Sequence, residues 1–362
     1  MFDDSFDTST KETTTLSYQP TDTCDDDEGF HKFLPGELIK GRYSVFSFAG
    51  KGVFSSVLRA RDLCSEDSRE VVIKVIKRNH VMLKAGNSEV KILTELTKKD
   101  PKCRGHCVHL LDSFAYLGHL CIVLDSHKMN LRQVIKKFGG KTGLNLKAVK
   151  VYSRQILIAL RTLKKSGIIH ADLKPDNMLV SAAQNSLYVC DFGSALKAGE
   201  SSLTPYLVSR YYRAPEVILG LPYSFEIDMW SAACCFYELY TGSFLFNGQT
   251  NNQMLKAHMD LLGPVPKRLL KKAHFASLHF DENYVFMHVE YNKITDKTSV
   301  TRLEIAKPAF DLLSKLRSSS SVEDVKNNRV DLFYDLLLSM LNFDPNKRIS
   351  VSNALKHPFL IS

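Results

Sequence analysis

The chain is expected to fold as an α+β protein in which a small, strand-rich first part precedes a larger helical part. Three observations predict this. Between Gly41 and about Leu124, short β-branched and aromatic runs alternate with glycine turns. After Asn130, apolar residues recur at spacings of three and four over long stretches. The 362 residues, 44% of them hydrophobic, suffice for one large domain or two lobes with separate cores.

Residues 1–30 hold nine acids and one lysine, are rich in Thr, Ser and Asp, and are expected to form a disordered acidic tail. A lead-in segment follows over 31–42. "YSVFSFAGKGVFSSVLRARD" predicts two strands joined by a glycine turn, "EVVIKVIK" a third strand, "NSEVKILTELTKK" a helix and "HLCIVLD" another strand. The join between the two parts falls near residues 125–130. In "NLKAVKVYSRQILIALRTLKKSG", Val149, Tyr152, Ile156, Leu160 and Leu163 mark one face of a helix; lysines fill its last turn and Gly167 suits its C-terminal cap. "IDMWSAACCFYELYTG" is apolar nearly all round, which predicts a buried helix. "RSSSSVEDVKNN", residues 317–328, is expected as an exposed loop. No internal repeat is visible.

The formal net charge is +9, so residues 31–362 carry +17 against −8 in the first thirty. Such a balance suits acidic partners (nucleotide phosphates, acidic peptides, RNA-rich assemblies) or simply a soluble surface. No run of about 18 apolar residues predicts a membrane span, and the acidic Met1–Asp7 stretch is not a secretory signal. Eight cysteines are too sparse for a disulfide framework, and a reducing compartment is expected.

The chemistry lies in an ordered set of polar residues. Gly50 and Gly52 in "GKGVFSSV" sit in a strand turn, where backbone N–H groups could approach phosphates or simply form an ordinary hairpin. Lys74 follows on a strand, where a buried ammonium needs an acid, and Glu89 on the next helix is the expected partner. Asp172, Lys174 and Asn177 come in "HADLKPDN", then Asp191 in "CDFG". Phosphoryl transfer needs a carboxylate at the attacking hydroxyl, cations on the phosphates and hard oxygen ligands for Mg²⁺. Asn177 and Asp191 supply such oxygens, which leaves Asp172 to orient and deprotonate the hydroxyl.

From about Tyr43 to Phe359 the sequence resembles the eukaryotic protein kinases in these motifs, in Ala214-Pro215-Glu216, in Asp228-Met229-Trp230-Ser231 and in Arg348. The resemblance implies the bilobal kinase fold over 43–359, with an N-lobe over 43–125 carrying one main helix and a helical C-lobe over 130–359. It implies ATP and Mg²⁺ as cofactors, and a nucleotide site built from Ala49, Gly50, Lys51, Gly52, Val57, Val72, Lys74, Glu89, Leu124, Asp125, His127 and Leu179. Catalysis would fall to Asp172 and Lys174, metal binding to Asn177 and Asp191. Glu216, Asp228 and Arg348 would be structural, with Arg348 pairing Glu216. Ser55 stands where the family has a third glycine, Val72 where it has Ala, and Ala233 where it has Gly. None of these changes removes a charge, a ligand or a base.

"SRYYRAPEVILG" resembles the group of cyclin-dependent, mitogen-activated and dual-specificity tyrosine-regulated kinases, the CMGC group, which implies an insert over about 264–328. "HADLKPDN" with "TPYLVSR" is similar to the spliceosomal pre-mRNA processing factor four kinases. That implies a nuclear serine/threonine kinase with spliceosomal protein substrates, a monomeric kinase domain, no membrane association and no specific nucleic-acid binding. Thr204, Tyr206, Ser209, Arg210 and Arg213 become the regulatory and substrate-facing candidates. Ala171 stands where the family has an arginine that clamps a phosphorylated activation-segment residue. Tyr206 could be autophosphorylated in its place, with Arg210 and Arg213 to receive the charge, or could be an ordinary packed tyrosine. Arg210 suggests a Ser/Thr-Pro leaning, and Ser209 is expected to bond Asp172 and Lys174.

Cys103, His106, Cys107 and His109 crowd together, but their spacing suits no ordinary zinc knuckle, and packing is expected instead. "KRLLKKAH" is a nuclear signal or a solvated helix face.

Overall fold

A computed structural model of the chain describes residues 25–140, 142–200, 204–292 and 296–361, and the backbone divides into two compact units. The first comprises residues up to Lys91 together with Leu110–Ser126; the second comprises Ile92–His109 and the remainder from His127. Most of the acidic segment, residues 1–24, lies outside the described residues.

The first unit is an antiparallel sheet of β1 (Leu38–Ile39), β2 (Tyr43–Lys51), β3 (Ser55–Asp62), β4 (Glu70–Ile76), β5 (Leu110–Tyr116) and β6 (His119–Asp125), in the order β1-β2-β3-β4-β6-β5. The period of two along β4 decides its faces. Val71, Ile73 and Val75 are buried with Leu58, Ala60, Cys121 and Val123 from neighbouring strands. Val72 and Lys74 turn to the opposite face, where register sets Lys74 beside Val57 and Ile122, and Val72 beside Leu124. Helix α1 (His80–Lys99) begins in this unit and carries Glu89. Residues 25–30, which composition assigns to the tail, fold back in a turn: Asp26 accepts the N–H groups of Glu28 and Phe30 at 3.0 and 2.9 Å. Phe30 is buried, and its ring receives the ammonium groups of Lys51 and Lys77.

The second unit is mainly helical. It opens with β7 (Met129–Asn130), α2 (Leu131–Val134), α3 (Leu146–Lys165), and the short strands β8 (Ile168–Ile169), β9 (Met178–Val180), β10 (Leu187–Val189) and β11 (Leu196–Lys197). It continues with α4 (Pro215–Leu219), α5 (Glu226–Thr241), α6 (Asn251–Leu262), α7 (Lys267–Leu270), the hairpin β12 (Phe286–Asn292) and β13 (Lys297–Leu303), α8 (Leu312–Ser318), α9 (Val322–Lys326), α10 (Arg329–Met340), α11 (Val351–Ala354) and α12 (Pro358–Ile361). Helix α3 buries the predicted face, Asn145 caps its start on Ala148 N–H at 2.9 Å, and Gly167 follows its end at a φ of 67°. Helix α5 is buried from Ile227 to Thr241, as its all-round apolar surface requires, and Trp230 stacks on Phe246.

The expected loop over 317–328 is corrected: α8 runs to Ser318 and α9 occupies 322–326. In that run of serines, Ser321 is an N-cap whose hydroxyl accepts Asp324 N–H at 3.1 Å. No helix among the described residues is long and apolar enough to cross a membrane.

Candidate active site

Two groups of residues, one in each unit, carry the chemistry. In the first unit, β2 ends at Lys51 and Gly52 N–H closes the turn onto Ser55 C=O at 2.8 Å, with Ala49 and Gly50 on the strand and Gly50 paired to Val57 across β3. Neither glycine takes a positive φ, and a Cβ on Gly50 would meet nothing among the described residues within 4 Å. The fold therefore gives no steric reason for glycine there. On β4, Lys74 Nζ donates to both carboxylate oxygens of Glu89, at 2.9 and 2.8 Å. Glu89 is 2% exposed, so this ion pair holds the ammonium in one place beside the Gly50–Val57 edge. Leu124 and Asp125 end β6; His127 belongs to the second unit, its ring 5.0 Å from that of Tyr188, and Leu179 lies on β9.

In the second unit everything converges on Asp172. Its Oδ1 accepts Ser209 Oγ at 2.6 Å and Ser209 N–H at 3.2 Å; its Oδ2 accepts Lys174 Nζ at 2.7 Å and Asn177 Nδ2 at 3.1 Å. Lys174 also reaches Ser209 Oγ at 3.0 Å. The expected bonds of Ser209 are thus both present. Four donors thus meet this carboxylate while its side chain keeps 17% exposure. Asn177 spends its amide nitrogen on Asp172, which leaves its oxygen as a hard ligand. Cys190 N–H bonds Asn177 C=O at 3.0 Å, so the backbone brings Asp191 next to Asn177. An amide oxygen and a carboxylate on adjoining backbone are the kind of donors that suit a hard divalent cation.

The scaffold beneath is buried and polar. His170 Nε2–H donates to Cys190 C=O at 3.0 Å, and its Nδ1 accepts Asp172 N–H at 3.2 Å, which ties the Asp172 loop to the Asp191 segment. Asp228, 3% exposed, receives the backbone N–H groups of His170 and Ala171. Burial pushes its carboxyl upward, and His170 with the two N–H groups opposes that. Arg348 grips Glu216 bidentately at 2.7 and 2.9 Å with both side chains fully buried.

Among the regulatory candidates, Tyr206 is 75% exposed, and Thr204 Oγ1 accepts its N–H. Arg213 is nearly buried. Its guanidinium donates to the carbonyls of Tyr206, Leu207 and Val208 and to Asn251, and stands 6.0 Å from the Tyr206 ring centre. Burial and the neighbouring Arg210 lower its pKa to about 10. Arg210, in the short 3₁₀ turn Arg210–Tyr212, is exposed.

A second network lay beyond sequence reasoning. Arg132 of α2 bonds Asp176 at 3.0 Å, Tyr212 OH at 2.6 Å and the buried Glu238 of α5, while Tyr212 OH donates to Glu238 at 2.6 Å. It braces the loop holding Asp172 and Asn177. Its members stand 26 to 106 positions apart, too far for any local pattern to pair them. Cys103, His106, Cys107 and His109 do not converge on a cation: Cys103 Sγ bonds Cys107 C=O, and His106 Nδ1 bonds Leu187 C=O at 2.7 Å.

Comparison with known proteins bears directly on this arrangement. The protein kinase domain family matches residues 43–360. The chain is 43% identical over 340 residues to the serine/threonine-protein kinase prp4 of Schizosaccharomyces pombe, covering 94% of this chain and 71% of the relative. It is 43% identical over 343 residues to the serine/threonine-protein kinase prpf4B of Dictyostelium discoideum, covering 94% and 42%. It is 34% identical over 352 residues to the dual specificity tyrosine-phosphorylation-regulated kinase 2 of Drosophila melanogaster, covering 97% and 45%. The chain thus spans less than half the length of the latter two.

Proposed function

The chain belongs to the protein kinase family, as a serine/threonine protein kinase that uses ATP and a divalent metal ion, and on that premise we propose that the ion is magnesium and that the protein substrates are pre-mRNA splicing factors in the nucleus. The names of the two relatives at 43% identity support the choice of substrate class.

Asp172 accepts the hydroxyl of a substrate serine or threonine and orients it. Lys174, bonded to Asp172 and Ser209, neutralises charge that develops on the phosphoryl oxygens. Asn177 and Asp191 hold the metal ion, which when bound screens the phosphates. Lys74, fixed by Glu89, binds phosphate, and Gly50 and Gly52 leave their backbone open to it. Val57, Val72 and Leu124 supply apolar surface for the base. The single observation that carries this assignment is the set of four donors on Asp172.

Ala171 removes the usual phosphate clamp, and phosphorylated Tyr206 with Arg210 stands in for it. Arg213 is committed to backbone carbonyls and holds the segment's shape. Arg210 gives the site a Ser/Thr-Pro leaning. The decisive experiment is phosphoryl transfer from labelled ATP to a splicing-factor peptide with wild type and Asp172→Ala. The variant should lose activity by a factor of about 10³ or more while still binding nucleotide; equal labelling by the two proteins would reject the assignment.

A further inference from the structure

Away from that chemistry, the first unit holds a cluster of two histidines and an aspartate. Asp25 and His31 face each other across an antiparallel bridge, closed by the Asp26–Phe30 turn and pinned where Arg78 N–H meets Gly29 C=O at 2.8 Å. His119 enters from the start of β6. His119 Nε2 lies 3.1 Å and His31 Nδ1 3.7 Å from the same oxygen, Oδ1 of Asp25. The three ligand atoms all lie within 4.8 Å of one another. Zinc bonds of about 2.0–2.2 Å at tetrahedral angles set ligand atoms roughly 3.3–3.6 Å apart.

The outer nitrogens of both rings are spoken for. His119 Nδ1 is 2.9 Å from Ile76 C=O, and a carbonyl only accepts, so that nitrogen carries the hydrogen. His31 Nε2 stands 3.3 Å from Glu37 Oε1, which Tyr116 OH also reaches at 3.0 Å. The inner nitrogens, His119 Nε2 and His31 Nδ1, therefore both face the Asp25 carboxylate. His31 Nδ1 is buried with no hydrogen-bond partner among the described residues. A carboxylate and two ring nitrogens brought together in a buried place are stabilised by a cation, proton or metal ion, between them. An outer N–H on a carbonyl or carboxylate is also how proteins orient histidines that bind metal. Arg78 approaches the other oxygen, Oδ2, at 3.6 Å.

We propose that Asp25, His31 and His119 form a zinc site that fastens the segment before β1 onto the sheet of the first unit. Two imidazoles and one carboxylate select zinc over magnesium or calcium, and a water completes four-coordination. Ligands from the segment (Asp25, His31) and from the sheet (His119) make the ion a clasp, so binding adds to the stability of this unit.

The test uses the full chain, reduced and stripped with EDTA, then titrated with zinc chloride in a calorimeter. One zinc per chain and a rise in melting temperature are expected. Cobalt should give the visible d–d bands of a tetrahedral nitrogen–oxygen site without a thiolate charge-transfer band. Asp25→Asn and His31→Gln should each weaken zinc by more than the about 10–100-fold that losing an outer-shell partner costs and remove the melting shift, whereas Cys103→Ser with Cys107→Ser should change neither. Both ligand variants lie on the segment rather than in a strand of the sheet, and the folding of each is checked by circular dichroism. Absence of zinc uptake by the folded chain would overturn the proposal and leave protons as the cations between the rings. So would uptake indifferent to Asp25→Asn and His31→Gln.

Discussion

The two carboxylate oxygens of Asp228 hold two consecutive backbone N–H groups, those of His170 at 2.7 Å and Ala171 at 3.0 Å. Ala171 sits at a φ of 60°, a region that costs a residue with a Cβ roughly 1–2 kcal/mol. The buried acid on α5 thus keeps the loop before Asp172 in a conformation it would not choose alone. Asp228→Asn can accept at only one of the two positions and sets an NH₂ against the other. It should cost about 2–3 kcal/mol of stability and lower kcat more than it raises KM, measured by chemical unfolding and steady-state kinetics.

Ser209→Ala removes a hydroxyl bonded to both Asp172 and Lys174. Stability should be nearly unchanged, since Asp172 keeps Lys174 and Asn177. The expected loss is in kcat, about tenfold for one charge-assisted bond. An unaltered kcat would mean that Ser209 does not hold the carboxylate in its working orientation.

The Glu216–Arg348 pair is fully buried. Arg348→Met strands a carboxylate and should cost about 3–5 kcal/mol. Adding Glu216→Gln should recover part of that loss, because the stranded charge is gone. Melting temperatures of the single and double variants provide the check.

His258 packs between Trp230 and Phe246 with neither ring nitrogen bonded among the described residues. Burial, helped by Arg348, lowers its pKa from 6.5 to about 3. Between those values the unfolded chain binds the proton and the folded chain does not. The His258 contribution is therefore constant above pH 6.5 and erodes as pH falls below it. His258→Met should narrow the gap between melting temperatures at pH 7.5 and pH 5. An equal gap in both proteins would show that other groups set the acid sensitivity.

Tyr206→Phe tests regulation. If phosphotyrosine replaces the missing clamp, the variant should lose about tenfold in kcat/KM, the value of one ionic hydrogen bond to Arg210. Mass spectrometry of active wild type should then show Tyr206 modified; full activity with the hydroxyl free would exclude the role.

What could be seen in the sequence had local causes. Lys74 on a β-branched run required an acid, and Glu89 on the next helix met it. The apolar steps of α3 and the all-round apolar surface of α5 gave their burial directly. Helix α9 escaped notice because four serines look like a loop until one of them becomes a cap. The Arg132–Glu238 bond joins residues 106 positions apart, and the Asp25–His119 contact spans 94; no periodicity brings such residues together. Only the closed fold does.

The stretch from Asp25 through β1 is as much a part of the first unit as the longer strands. Ile39 is wholly buried in the sheet core, Phe33 packs on it, and Asp26 and Glu28 hold Lys51 beside the turn between β2 and β3. A shortened protein beginning at Tyr43, where the kinase family match begins, would discard all of these. Anyone preparing this enzyme for crystals or inhibitor screening should start it upstream of Asp25, or expect a loosened β2–β3 turn and a solubility problem of their own making.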